Sequence, residues 1–275
     1  MKDLVIRTLT GIIFVVTLIS GICIHSTTFL ILFCIITGLT VWEFSGLVNH
    51  YEKAHVRRIL NVIGGMYLFA ATFAYAHGFA NEKIFLPYLL FLILIMVAEL
   101  YYKAPNPIDN WAFSLFAQLY CAAPFALLNF IGIAPDGSGA YTPMFILALF
   151  VFVWMDDSGA YLLGTLFGKH RLFERISPKK SWEGFWGGLV FALLTSLAFA
   201  WFVPEVGYLT WLGLAATTVL FGTWGDLVES LLKRTLQIKD SGNILPGHGG
   251  MLDRFDSVIL AIPAYYVYIE MFIRN

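Results

Sequence analysis

Charge is what this sequence has least of. Asp, Glu, Lys and Arg make up 13% of its 275 residues and 59% are hydrophobic, against about 25% and about 45–50% for soluble domains. So few polar groups cannot cover a water-soluble surface, and the mean hydropathy of +0.77 agrees. Cysteine is equally scarce. Cys23, Cys34 and Cys121 stand apart in apolar surroundings, with no CxxC and no histidine at metal-ligand spacing, so they read as packing residues and give no sign of a redox centre. No GxxxxGK[ST] opens a helix, which excludes a Walker A loop. Repeats, low-complexity tracts and linkers are missing too. One integral domain over residues 1–275 is expected, with the motifs that carry chemistry in its C-terminal half, about 141–275.

What the chain does have is long apolar runs. A spanning helix needs about 20 largely apolar residues, because the bilayer core offers no water to exposed backbone groups. The runs are Thr8 to Ile24, Thr28 to Val48, Ile59 to Phe79, Ile84 to Tyr102, Trp111 to Ile133, Tyr141 to Phe167, Glu183 to Val203, Tyr208 to Leu232 and Phe255 to Ile273. The expected fold class is an all-α integral membrane protein, a polytopic bundle of about nine transmembrane helices. The first run follows Lys2 and Arg7 but precedes no small-residue cleavage site, so it is read as a retained span and not as a secretory leader.

Threaded through those spans, all but two of the 17 Lys and Arg fall on one side. They are Lys2, Arg7, Lys53, Arg57, Arg58, Lys103, Lys169, Arg171, Arg175, Lys179, Lys180, Lys233, Arg234, Lys239 and Arg254, leaving Lys83 and Arg274 opposite. The crowded side is cytoplasmic by the positive-inside rule, which puts the N-terminus inside and the C-terminus outside. Two long connections on that side, Gly168 to Trp182 and Lys233 to Arg254, are rich in polar residues. Function is expected there, on the cytoplasmic side of a cell membrane.

The acids come in clusters. In GTWGDLVESLLKR, Asp226, Glu229, Ser230 and Lys233 are three and four apart and share a helix face. In LDRFDS, Asp253 and Asp256 lie together if the helix has begun. Helix capping by Asp256 and a Glu229–Lys233 ion pair explain single acids, but ionisable groups at the edge of a span are costly and mark functional sites. Carboxylate oxygens suit Mg²⁺, with phosphate and water completing its shell. Asp156 and Asp157 in WMDDSGAYLLG are adjacent and point different ways, so at most one is expected to face a given site. Ser158, Gly159, Gly164 and Gly168 allow close helix packing.

Gly247 to Gly250, GHGG, permits positive φ and close approach to an anion, with His248 as a donor to phosphate. Lys169, His170, Arg171, Lys179 and Lys180 could form a phosphate bed, or serve only orientation and nonspecific headgroup contact. Trp42, Glu43, Glu99, Tyr101 and Tyr102 lie near span ends, where interfacial anchoring is the default reading. Glu270 has no assigned role.

The stretch SLLKRTLQIKDSGNILPGHGGMLDRFD, Ser230 to Asp256, follows the pattern S-x-x-K-R-x4-K-D-S-G-x-x-x-P-G-H-G-G-x-x-D-R-x-D. It resembles the signature of phosphatidate cytidylyltransferases, also called CDP-diacylglycerol synthases. The likeness runs back through GDLVES, SPKKSWEGFWGG and DSGAYLLGTLFGKH. In the N-terminal half it is limited to hydropathy and the Trp42–Glu43 pair. Thr165 departs from it, because relatives usually carry a basic residue there; any phosphate contact made by that residue is then absent here or supplied by Lys169.

The resemblance implies that CTP and phosphatidic acid give CDP-diacylglycerol and pyrophosphate, with Mg²⁺ required and a second cation, monovalent or divalent, allowed for. Asp226, Asp253, Lys239, Lys233 and Arg254 are the expected catalytic residues, with metal on Asp226, Asp253 and Asp256. Substrate binding falls to Asp157, Lys169, Lys179, Lys180, Ser181, Ser230, Arg234, Asp240, Gly247, His248, Gly249 and Gly250. The expected partners are CTP, phosphatidic acid and the lipid bilayer, with a homodimer on resemblance alone and no nucleic acid. A CTP-dependent polyprenol or dolichol kinase is the alternative. An ion-coupled transporter, motivated by acids within spans, is disfavoured because no internal repeat exists.

Overall fold

A computed structural model describes residues 2–50, 54–104, 106–136, 138–238, 240–242, 244 and 249–274, with the side chains of 2–7 left aside. The helices are α1 Lys2–Cys23, α2 Ser26–Val48, α3 Arg58–Ala76, α4 Leu86–Tyr101 behind a 3₁₀ turn, α5 Pro107–Ala117, α6 Ala123–Ile131, α7 Met144–Phe167, α8 Trp182–Phe202, α9 Tyr208–Thr235 and α10 Leu252–Phe272. Each expected apolar run lies largely within helix, with run ends such as Phe79, Ile133 and Tyr141 falling outside it. The chain is an all-α, multi-pass membrane protein.

Among the described residues, seven helical stretches are long and apolar enough to cross a membrane: Ser26–Val48, Arg58–Ala76, Glu82–Tyr101, Pro107–Ile131, Met144–Phe167, Trp182–Phe202 and Leu252–Phe272. Thr8–Cys23 is apolar but shorter. Helix α9 carries Asp226, Glu229, Lys233 and Arg234 in its second half and is not among the seven. Helix α4 illustrates the lipid-facing surface: Leu86, Leu89, Leu90, Ile93, Leu94 and Leu100 are all exposed and Ile95 is buried. In water such a face would be an unstable apolar patch.

The chain divides into two compact units, one of residues 1–141 with 236–255, the other of 142–235 with 256–275. In the first, Phe29 packs on Phe33 and Phe69 at ring-centroid distances of 4.9 and 5.9 Å, and Phe125 meets Phe255 edge-on at 5.3 Å. Buried amides tie its helices where lipid offers no hydrogen bonds: Gln118 donates to the Asn61 carbonyl at 2.9 Å, Asn61 to Ser45 at 3.2 Å, and Asn129 to Thr72 at 2.8 Å. The run expected as one span from Trp111 is a single rod with a π turn at Gln118–Ala122. Pro124 explains it: proline has no N–H to continue the α ladder, and the Ala123 N–H bonds to Gln118 instead.

In the second unit, α7 and α8 pack with glycine against glycine. A methyl at Gly159 would lie 2.7 Å from the Gly187 carbonyl, one at Gly184 would lie 3.0 Å from the Ala160 carbonyl, and one at Gly188 would overlap the Asp156 carboxylate. Gly159 and Gly164 thus pack as expected, whereas Ser158 is exposed and bonds to the Trp154 carbonyl at 2.7 Å. Trp211 is fully buried among Phe145, Phe152 and Phe199.

The expected loop between α7 and α8 holds a short antiparallel hairpin, β1 Arg171–Phe173 and β2 Ser177–Ser181. A basic, polar segment of this length gave no alternation of apolar residues to signal strand.

Candidate active site

The hairpin and the helix that follows it are joined by one carboxylate. Glu183, in the first turn of α8, accepts the backbone N–H groups of Lys169 and His170 at 3.1 and 3.2 Å and pairs with the His170 ring at 2.6 Å. Ser181 caps the same helix, its hydroxyl oxygen accepting the Gly184 N–H at 3.1 Å. With both ends fixed, β2 holds Lys179 and Lys180 toward a pocket of about 330 Å³ in this unit.

Asp156, Asp157, Gly164, Thr165, Ser181, Thr223, Asp226 and Ser257 also line that pocket, beside the apolar Ala160, Tyr161, Leu172 and Phe185. Both adjacent acids of α7 border it, against the expectation that only one would. The cause is the missing side chain at Gly188: Asp156, 9% exposed, turns into that space, while Asp157 stays on the exposed flank. Thr165 lines the pocket too, but its hydroxyl donates to the Tyr161 and Leu162 carbonyls at 2.7 and 3.0 Å within its own helix. Lys169 is not among the lining residues.

Asp226 on α9 is ion-paired with Lys180 and accepts the Ser230 hydroxyl at 3.2 Å. One turn on, Glu229 is fully buried and ion-paired with Lys233. The four-residue spacing that put these groups on one face therefore also makes Lys233 a partner of Glu229. Asp256 approaches from α10, its Oδ1 accepting the Ser257 N–H at 2.6 Å. One carboxylate oxygen from each of Asp226, Glu229 and Asp256 lies within 4.8 Å of the others.

At that separation and an effective dielectric of about 20, each like-charged pair repels by about 3–4 kcal/mol. Lys180 and Lys233 offset two charges, and among the described residues Asp256 has no ion-pair partner. Three hard oxygen donors carrying net negative charge form a set that fits a divalent cation such as Mg²⁺. Glu229 was read in the sequence as an ion-pair member, not as a ligand; its i, i+3 spacing from Asp226 was the available signal.

Asp253 belongs to the first unit. It stands in the first turn of α10, which begins three residues before the expected run, and its carboxylate accepts the N–H groups of Ser241 at 2.9 Å and Gly250 at 2.8 Å. It shapes the polar segment ahead of the helix. Gly249 has the positive φ expected of this turn, +81°, and a Cβ there would lie 2.6 Å from Asp253 Oδ2. Asp240 and Arg254 are exposed. Lys239, Gly247 and His248, all expected site residues, lie outside the described residues.

Arg234 lies in the second unit, where its Nε donates to the Ile176 carbonyl at 3.4 Å and ties the end of α9 to the hairpin. Two further acids, one read otherwise in the sequence and one without a role there, find their places. Glu43, taken for an interfacial anchor, is 4% exposed and accepts the Leu252 N–H at 2.7 Å. Glu270 pairs with Arg274 at 2.5 Å, four residues on.

Comparison with known proteins agrees with these motifs. A phosphatidate cytidylyltransferase of Staphylococcus aureus (strain COL) is 51% identical over 121 residues, 43% of this chain and 46% of the relative. One from Staphylococcus haemolyticus (strain JCSC1435) is 45% identical over 154 residues, 55% of this chain and 56% of the relative. The chain thus spans about half the length of the curated relatives it matches. The family model described as "Cytidylyltransferase family" matches residues 5–272. With nearly the whole chain covered, the protein belongs to the cytidylyltransferase family.

Proposed function

We propose that the protein is a phosphatidate cytidylyltransferase, working on the cytoplasmic side of the membrane. A phosphate oxygen of phosphatidate forms a bond to the α-phosphorus of CTP, the bond from that phosphorus to the bridging oxygen breaks, and CDP-diacylglycerol and pyrophosphate result. The observation that carries the reading is the pocket of the second unit, where Lys179 and Lys180 face a carboxylate cluster beside apolar Ala160, Tyr161 and Phe185. A bilayer-anchored anion and a soluble polyanion need such a place, with positive charge for both and an apolar flank for one. The names of the Staphylococcus relatives support the same substrates.

Phosphatidate is already anionic near neutral pH, so no strong general base is required. The obstacle is repulsion between two polyanions, which cationic side chains relieve. Lys180 and Lys179 contact phosphate oxygens, and Arg254 and Lys239 act likewise from the polar segment, with the backbone of Gly249 beside them. Lys233 acts indirectly, as the ion-pair partner of Glu229 in the cluster. Asp226, Glu229 and Asp256 would hold Mg²⁺, which supplies positive charge beside the transferring phosphate when bound. Asp253 keeps the segment's N–H groups aligned. By its resemblance to the family, the protein works as a homodimer.

Product analysis tests it. Purified protein with CTP, phosphatidate and Mg²⁺ should place labelled cytidine in the lipid and release pyrophosphate. Cytidine diphosphate in solution with a newly phosphorylated lipid would instead identify a lipid kinase.

A further inference from the structure

Glu43 has no part in the chemistry just assigned, yet a buried carboxylate on an apolar helix is costly and calls for a use. Its hydrogen bonds all lead to one segment. Oε2 accepts the Leu252 N–H at 2.7 Å and the Ser241 hydroxyl at 3.4 Å, and the oxygen of that hydroxyl accepts the Asp253 N–H at 3.2 Å. Leu252 and Asp253 open α10, so N–H groups that a helix leaves unsatisfied at its start are met by α2 and by the polar segment itself.

The space around the carboxylate is equally specific. A methyl on Gly242 would lie 2.6 Å from Glu43 Oε1, and one on Gly250 would lie 2.5 Å from Oε2. Glycine at these two positions therefore makes room for Glu43, separately from any phosphate. Asp253 closes the same segment from the other side through Ser241 and Gly250. All these groups lie in the first unit.

We infer that Glu43 is a positioning residue: from α2 it fixes Ser241, Gly250 and the first residues of α10, and through them the backbone of Gly249, for the phosphates of CTP. This rests on the nucleotidyl-transfer reading above. Glu43→Ala removes the acceptor, Glu43→Asp keeps the charge but shortens its reach, and Glu43→Gln keeps an oxygen at the right distance. The Ala and Asp variants should raise KM for CTP about tenfold, the factor set by one charge-assisted hydrogen bond, with KM for phosphatidate unchanged. Glu43→Gln, which restores the acceptor without its charge, should recover part of the loss.

Amide exchange gives a readout independent of activity. In Glu43→Asp the Leu252 and Asp253 amides should exchange faster while peptides of α7 and α8 keep wild-type protection. Unchanged exchange at Leu252, or a fall in kcat with both KM values at wild type, overturns the inference. If the wild-type protein makes no cytidylylated lipid, the activity proposal fails and amide exchange still decides the role of Glu43.

Discussion

Replacing Gly188 by alanine probes the seam on which the pocket is built. The added methyl would overlap the Asp156 carboxylate and lie 2.8 Å from the Asp156 carbonyl. Ordinary contact begins near 3.4 Å, so the Asp156 carboxylate must leave its place and α7 and α8 must also separate by about 0.6 Å. A methyl at neighbouring Gly159 or Gly187 would also lie under 3.0 Å from the facing backbone carbonyl, so the helices meet closely there and separation loses that packing. Overpacking of this kind destabilises by about 1–3 kcal/mol. Reversible unfolding in detergent should show that loss for Gly188→Ala.

The double variant Gly188→Ala with Asp156→Ala removes the carboxylate overlap and leaves only the close approach to the carbonyl, and a double-mutant cycle should return a coupling of at least about 1 kcal/mol in its favour. Strictly additive effects would refute the account of why both acids of α7 border one pocket. Near-wild-type stability of Gly188→Ala alone would refute the glycine seam itself.

Asp256→Asn removes the cluster charge that has no ion-pair partner among the described residues, and should raise the Mg²⁺ concentration for half-maximal activity at least about tenfold, read by titration after chelation. Lys233→Met leaves fully buried Glu229 without its ammonium and should destabilise the protein by about 3 kcal/mol, measured by unfolding in detergent. Glu183→Ala frees the hairpin from α8 and should raise KM for CTP with little change in unfolding midpoint; unchanged kinetics would separate Lys179 and Lys180 from substrate binding.

Much of this was legible in the sequence because the bilayer imposes a strong, one-dimensional signal. Apolar runs gave every helix to within a few residues, and i, i+3 and i, i+4 spacing put Asp226, Glu229 and Lys233 on one face. Three things were not legible, each set by a contact distant in sequence. Glu43 looked interfacial by its place near a span end, and its partners lie 198 and 209 residues away. The hairpin has no apolar alternation and depends on Glu183. The joint exposure of Asp156 and Asp157 to one pocket follows from an empty position on the facing helix, which no local pattern records.

The return of residues 236–255 to the helices of the first 141 has a consequence for biogenesis. A growing chain places the Glu43 side chain in the membrane long before Leu252 exists to receive it. At about 5–20 residues per second the wait is about 10–40 s. Through that interval the acid must be protonated, hydrated or shielded by something other than its final partners. The earliest helices to emerge are therefore among the last to be completed, and an early stop upstream of Ser241 would leave them exposed to quality control.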